Sequence, residues 1–99
     1  MKLGGCVYII TNQHRTVLYT GVTSDLRGRI YKHKTKKFTG SFSANYNCDK
    51  LVYYNFYPTI KEAIAAEKQI KKLSRAYKEK LIAEMNPGWD DLWEEIEKW

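Results

Sequence analysis

Residues 17–34, VLYTGVTSDLRGRIYKHK, decide how this chain is read. A β-branched and aromatic run stops at Gly21, the Thr23-Ser24-Asp25 cluster offers N-cap side chains, and a helix follows from Leu26. A strand passing into a helix through one short turn brings Tyr19, Arg29 and His33 together. Arg29 and His33 are four residues apart and so project from one helix face. A purely structural turn needs only apolar residues at these positions.

On the N-terminal side, CVYIIT (6–11) and TVLYTG (16–21) flank the polar NQHR, which reads as a β-hairpin. Alternation puts Cys6, Tyr8 and Ile10 on one face of the first strand, and Val17, Tyr19 and Gly21 on one face of the second. Both tyrosines share a side of the sheet if the register allows. Gly28 inside the helix costs about 1 kcal/mol relative to alanine, which points to a close backbone approach there. On the C-terminal side, KKFTGSFSANYNCDK (36–50) reads as a long loop and LVYYNFY (51–57) as a third strand ended by Pro58. Thr59 caps a helix over 60–72, a second helix runs from Ser74, NPGW (86–89) breaks it, and a short helix closes the segment. Trp89, Trp93 and Ile96 lie at helical spacing in that last stretch. The order β-β-α-β-α-α, with no βαβ repeat, predicts an α+β, sandwich-like domain: a small three-stranded antiparallel sheet flanked by helices.

Ninety-nine residues, 43% hydrophobic and 14% aromatic, describe one folded domain rather than a disordered chain. No apolar run approaches the roughly 20 residues of a membrane span. Leu-Gly-Gly-Cys (3–6) has the look of a lipoprotein cleavage box, but no apolar region precedes it and no signal peptide is read. Cys6 and Cys48 lack metal-ligand spacing and are read as free thiols, which places the chain in a cytoplasm, most simply a bacterial one. The net charge of +6 is unevenly spread. Residues 1–83 carry 16 Lys/Arg against 5 Asp/Glu, a net of +11, and residues 84–99 carry Lys98 against six acids, a net of −5. A basic body with an acidic tail points to a polyanionic partner, nucleic acid first, although a solvated basic surface has the same composition.

Glu67 falls near the middle of the helical arc formed by Ile60, Ala63, Ile64 and Ile70. A carboxylate within a buried stripe is costly unless something pairs with it. A basic partner, a bound cation and a wet helix rim are the competing explanations. Mg²⁺ is commonly held by one or two protein carboxylates, with water and phosphate completing its shell, so one glutamate suffices if the substrate is a phosphodiester. Arg29 can give two hydrogen bonds to a phosphate, and His33 can donate to it or shuttle a proton. Arg27, Arg29, Lys32, Lys34, Lys36 and Lys37 equally describe a solvated basic helix end, and Tyr8 and Tyr19 equally describe core strand aromatics. Together, two tyrosines, an arginine, a histidine and a lone carboxylate are the parts of metal-assisted phosphodiester hydrolysis. In that chemistry a tyrosine whose pKa is depressed by nearby cations takes a proton from water.

With Cys6-Val7-Tyr8 in the place of Gly-Ile-Tyr and Tyr19-Thr20-Gly21 in the place of Tyr-Ile-Gly, the chain resembles the GIY-YIG nuclease family. The likeness continues through GVTSDLRGRIYKHK, YNCDKLVYYNFY and EAIAAEKQIKKLSRAYKEKLIAEMNPGWDDL. It is greatest to the short stand-alone bacterial subgroup of predicted endonucleases. The resemblance implies a Mg²⁺-dependent DNA endonuclease, with Mn²⁺ as an alternative ion, acting by direct water attack. It implies that one of Tyr8 and Tyr19 activates the water, Tyr8 being the preferred base. Arg29 would contact the scissile phosphate, His33 would stand where relatives carry a histidine or tyrosine, and Glu67 would be the single metal-binding residue. Residues 1–87 would form the nuclease domain and 88–99 an acidic, tryptophan-containing segment packed on it. Arg27, Lys32, Lys34, Lys36, Lys37, Lys71, Lys72 and Arg75 are the expected nucleic-acid contacts. Two departures stand out: Cys6 replaces a glycine, and Glu79 stands where many relatives carry an asparagine, while Asn86 belongs to the NPGW turn.

The chain has no recognisable sequence-reading module, so affinity should come from phosphate contacts, with low sequence specificity and structure-selective nicking in repair or recombination. DNA is the expected partner, RNA a further substrate class. A non-catalytic nucleic-acid-binding module of the same fold is the alternative, and it would need neither Arg29 nor Glu67. The acidic tail is a second alternative, as a docking element for a protein partner. Oligomeric state is not legible.

Overall fold

Every residue of the first strand, β1 (Gly5–Thr11), is buried. A computed structural model describes residues 4–35 and 46–99, and β1 is the centre of its sheet, in the order β2-β1-β3. The other elements are β2 (Leu18–Thr23), α1 (Leu26–Lys34), β3 (Lys50–Tyr57), α2 (Ile60–Lys71), α3 (Arg75–Met85) and a single turn, α4 (Trp93–Ile96). Both pairings are antiparallel, so the expected α+β order β-β-α-β-α-α is the observed one. The expected contacts Lys36 and Lys37, and most of the 36–50 loop, lie outside the described residues.

A strand apolar on both faces must be covered on both. Cys6, Tyr8 and Ile10 pack with Leu51 against Leu26 and Ile30 of α1 and against Leu92 and Ile96 of the C-terminal segment. Val7 and Ile9 pack with Val52 against Ala63 and Ile70 of α2 and Ile82 of α3. On α2 the buried positions are Ala63, Glu67 and Ile70, whereas Ile60 and Ile64, expected on the same arc, stand at the surface. The buried stripe is narrower than the apolar residues drawn on a helical wheel.

The second strand is displaced from its expected 16–21. Asn12 Oδ1 accepts from the backbone N–H of Thr16 and of Val17 at 2.9 and 3.1 Å, which keeps both residues in the turn. The strand then continues through Gly21 to Thr23. Gly21 is therefore no strand terminator. It lies opposite Tyr8, and a Cβ there would come within 2.5 Å of Tyr8 Cζ. The glycine makes room for a tyrosine ring laid across the neighbouring strand. Gly28 likewise admits a side chain rather than another backbone: a Cβ would overlap the carboxylate of Asp25, the α1 N-cap, which accepts from Gly28 N at 3.1 Å. Thr59 and Ser74 cap α2 and α3 in the same way.

The C-terminal segment is tied in by polar contacts. Buried Asn86 donates through Nδ2 to Val52 O and Asp90 O at 3.2 and 2.8 Å and accepts from Asp90 N at 3.1 Å. Asp91 accepts from Leu51 N and from Lys34 Nζ at 3.1 and 2.6 Å. Trp89, at φ 55°, turns the chain sharply. It packs on the α2/α3 side while Trp93 and Ile96 pack on the α1 side, so these three residues do not share one helical face as their spacing predicts. Arg15, also at positive φ, lies 5.5 Å over the Trp89 ring and pins the hairpin turn to this segment.

Gly21→Ala is expected to lower stability by about 1–3 kcal/mol through overpacking against Tyr8, read as a lower denaturant midpoint. Cys6 and Cys48 are buried free thiols whose pKa values burial pushes up to about 12 and about 11. Neither should react with a thiol reagent in the native protein, and both should react promptly once it is unfolded.

Candidate active site

Because β2 is an edge strand, side chains from helices on opposite faces of the sheet can meet around it. Tyr8 faces Gly21 and Ile10 faces Tyr19, so the two tyrosines lie on one side of the sheet, on diagonal positions of adjacent strands. Over them lies α1, with His33 buried on its inner face. The Tyr8 hydroxyl and His33 Nε2 are 3.0 Å apart. The His33 ring centroid stands 5.7 Å from that of Tyr8 and 5.8 Å from that of Tyr19. One imidazole thus bridges both tyrosines.

The electrostatics follow from burial. Tyr8 is 0% exposed, and desolvation raises its pKa well above the usual tyrosine range. Arg29 opposes that shift through its charge and a hydrogen bond, while Tyr19 and Glu67 reinforce it. His33, 6% exposed, has its pKa lowered to about 4 by desolvation and then by the Arg29 charge. At neutral pH the pair is a phenol beside a neutral imidazole: the hydroxyl donates to Nε2 in the tautomer protonated at Nδ1 and accepts from Nε2 in the other. Tyr19, in contrast, is only partly buried.

Glu67 comes from α2, on the other face of the sheet, and is 9% exposed. Its Oε2 meets Lys71 Nζ at 2.9 Å, one turn along the helix. That hydrogen bond is the main reason the Lys71 pKa is raised, and Tyr19 adds to it. Of the explanations open for a carboxylate in this stripe, a basic partner is present. Lys71, expected on nucleic acid, is that partner, and the i, i+4 Glu–Lys spacing was the signal for it. Among the described residues no group of three or more His, Cys, Asp or Glu is arranged around a common point. The donor set therefore suits a hard cation that takes one protein oxygen and fills its shell with water and phosphate, and not one that needs a protein cage.

The remaining expected residues separate into two groups. Lys34 is held by Asp91 and by the Asp49 carbonyl at 2.8 Å. Arg75 is held by Glu79 at 2.8 Å and by the backbone carbonyls of Arg15 and Thr16. Glu79, the residue at the asparagine position, is thus a half-buried partner of Arg75, and Asn86 is spent on backbone groups. Arg27, Lys32 and Lys72 are exposed. Arg27 Nε donates to Glu97 O at 3.0 Å.

Residues 4–81 match the GIY-YIG catalytic domain. A UPF0213 protein of Syntrophus aciditrophicus is 35% identical over 81 residues, 82% of this chain and 91% of that protein. A UPF0213 protein of Staphylococcus saprophyticus is 37% identical over 67 residues, 68% of this chain and 80% of that one. The solution NMR structure of a UPF0213 protein from Bacillus halodurans superimposes with a TM-score of 0.55 at 30% identity, covering 88% of this chain and 90% of the other. By sequence over most of its length and by fold, the chain belongs to the GIY-YIG nuclease family, alongside the UPF0213 proteins.

Proposed function

We propose that this chain is a divalent-metal-dependent DNA endonuclease that hydrolyses phosphodiester bonds by direct attack of water. The observation that carries the reading is the gathering of Tyr8, Tyr19, Arg29, His33 and Glu67 around one edge of the sheet, with Tyr8 within the electrostatic reach of Arg29, Tyr19 and Glu67. Glu67 would hold the cation, Mg²⁺ in the first instance and Mn²⁺ as a substitute, and the ion when bound would supply Lewis-acid stabilisation of phosphate charge. Lys71 would give up its carboxylate partner as that ion binds and turn to the substrate. Arg29 would take up charge developing on the phosphate. Burial favours Tyr19 over Tyr8 as the hydroxyl that meets the attacking water, because Tyr8 has no solvent-facing surface. Tyr8 would then act through His33, holding the imidazole against Tyr19.

Arg27, Lys32 and Lys72 supply phosphate contacts without base readout, which fits low sequence specificity and structure-selective nicking of the sort used in repair or recombination. DNA is the substrate favoured, with RNA a second polymer offering the same phosphates.

Nicking of supercoiled plasmid is expected with Mg²⁺ and not with EDTA. Arg29→Ala and Glu67→Gln should each lose roughly 10²–10³-fold, the scale for removing one preorganised charge-stabilising group. A wild type that binds DNA but never cuts would leave a binding module of the same fold. His33 gives a second prediction, on stability. Its pKa is depressed in the folded protein, so the unfolded chain takes up its proton first as pH falls. Stability is full above pH 6.5 and is lost between 6.5 and about 4. His33→Gln should flatten that acid slope in denaturant melts across the same window.

A further inference from the structure

Beside the start of α1 lies a cavity of about 500 Å³ that the hydrolytic reading leaves unused, lined by Ser24, Asp25, Arg27, Gly28, Phe56 and Trp99 among others. Its wall is aromatic and held in place. The Trp99 ring stands 5.7 Å from Phe56, tilted by 44°, and 5.6 Å from Tyr54 in an edge contact. Even so, Trp99 is 48% exposed. A large ring braced by two others and still half open to solvent is a stacking surface at little entropic cost.

The charges select what can stack there. A helix start ordinarily attracts anions. Here the Asp25 carboxylate already accepts from Gly28 N at 3.1 Å and places its own negative charge at that end, so a phosphate is repelled from the cavity while a neutral, flat group is not. Arg27 lines the cavity and is itself exposed, its Nε on Glu97 O at 3.0 Å, so its charge is available to an anion on the solvent side. A flat neutral ring attached to an exterior phosphate is a nucleotide with its base unpaired.

Position ties the cavity to the site already described. Phe56 pairs with Cys6, and Tyr54 pairs with Tyr8. The cavity wall and the tyrosine pair are thus on the same face of the sheet; along β1 the level of Phe56 is two residues from Tyr8 and four from Ile10, which faces Tyr19, about 7 Å and about 13 Å. Gly28 borders the cavity and Arg29 follows it directly in α1. We propose that this cavity receives an unpaired nucleobase of the strand whose phosphate lies at the tyrosine–arginine site, which directs the protein to flaps, gaps or single strands. The proposal rests on the nuclease reading for its choice of polymer.

The test is equilibrium binding of the full chain by fluorescence anisotropy in EDTA, so that cleavage plays no part. The probes are labelled oligo(dT), the same oligomer with abasic sugars, and a duplex of equal length. Oligo(dT) should bind wild type about tenfold more tightly than the abasic strand, and Trp99→Leu should lose about the same factor on oligo(dT) while keeping its duplex affinity, the scale of one aromatic–base stack. Trp99→Phe should restore most of the loss. Equal binding of abasic and dT strands by wild type, or an equal loss on strand and duplex in Trp99→Leu, would overturn the base site and leave the nuclease reading standing. Wild type that binds none of the three probes would overturn both.

Discussion

The burial of β1 on both faces is the constraint from which the rest of the molecule follows. A strand of Cys6, Val7, Tyr8, Ile9 and Ile10, none with more than 1% of its surface exposed, can only sit at the centre of a sheet with helices above and below. Three strands give such a sheet two edges. The edge strand β2 is where side chains from both helical layers reach one another without passing through the core. Polar chemistry is therefore pushed to that edge, and Tyr19 is the strand residue placed there. The same packing explains why Tyr8 looks like a core residue and a site residue at once. Its ring fills space over Gly21, while its hydroxyl has no water to bond and so takes His33.

Most of the architecture could be read from the sequence because it rests on local rules. Alternation in 6–11, the cap residues Asp25, Thr59 and Ser74, and Pro58 after the third strand each act within a few residues. The misreadings have longer-range causes. The boundaries of β2 were hidden because the Asn12 side chain claims two backbone amides that would otherwise join the ladder. Ile60 and Ile64 look like core residues on a helical wheel, yet α2 lies on the sheet along a narrower line. Trp89 leaves the helical register because its backbone turns left-handed, which nothing in the spacing of tryptophans announces. At the site, the shared face of Tyr8 and Tyr19 depended on a register that alternation alone leaves open, and the burial that separates the two tyrosines' environments is a property of the assembled core.

Net charge is a poor guide to how much positive surface a polyanion would meet here. Lys34, Lys71 and Arg75 are all engaged with carboxylates or backbone carbonyls, and each joins parts of the chain or neutralises a buried acid. Arg27, Lys32 and Lys72 are exposed, as are Lys61, Lys68 and Lys80. Glu67 and Lys71 also pair within one helix, Lys71 Nζ lying 2.9 Å from Glu67 Oε2, so the nearly buried carboxylate has its basic partner on its own element.

The segment beyond α3 has a bearing on when the molecule becomes competent during synthesis. Leu92 and Ile96 share a buried cluster with Tyr8, Leu26 and Ile30, and Leu92 N donates to Leu51 O at 2.8 Å. A nascent chain that has displayed every strand and all three longer helices still lacks part of the wall against which α1 settles. Since α1 carries Arg29 and His33, their final placement waits on residues made some sixty positions later. A chain still being made thus lacks part of the packing that seats Arg29 and His33 until Leu92 and Ile96 have been added.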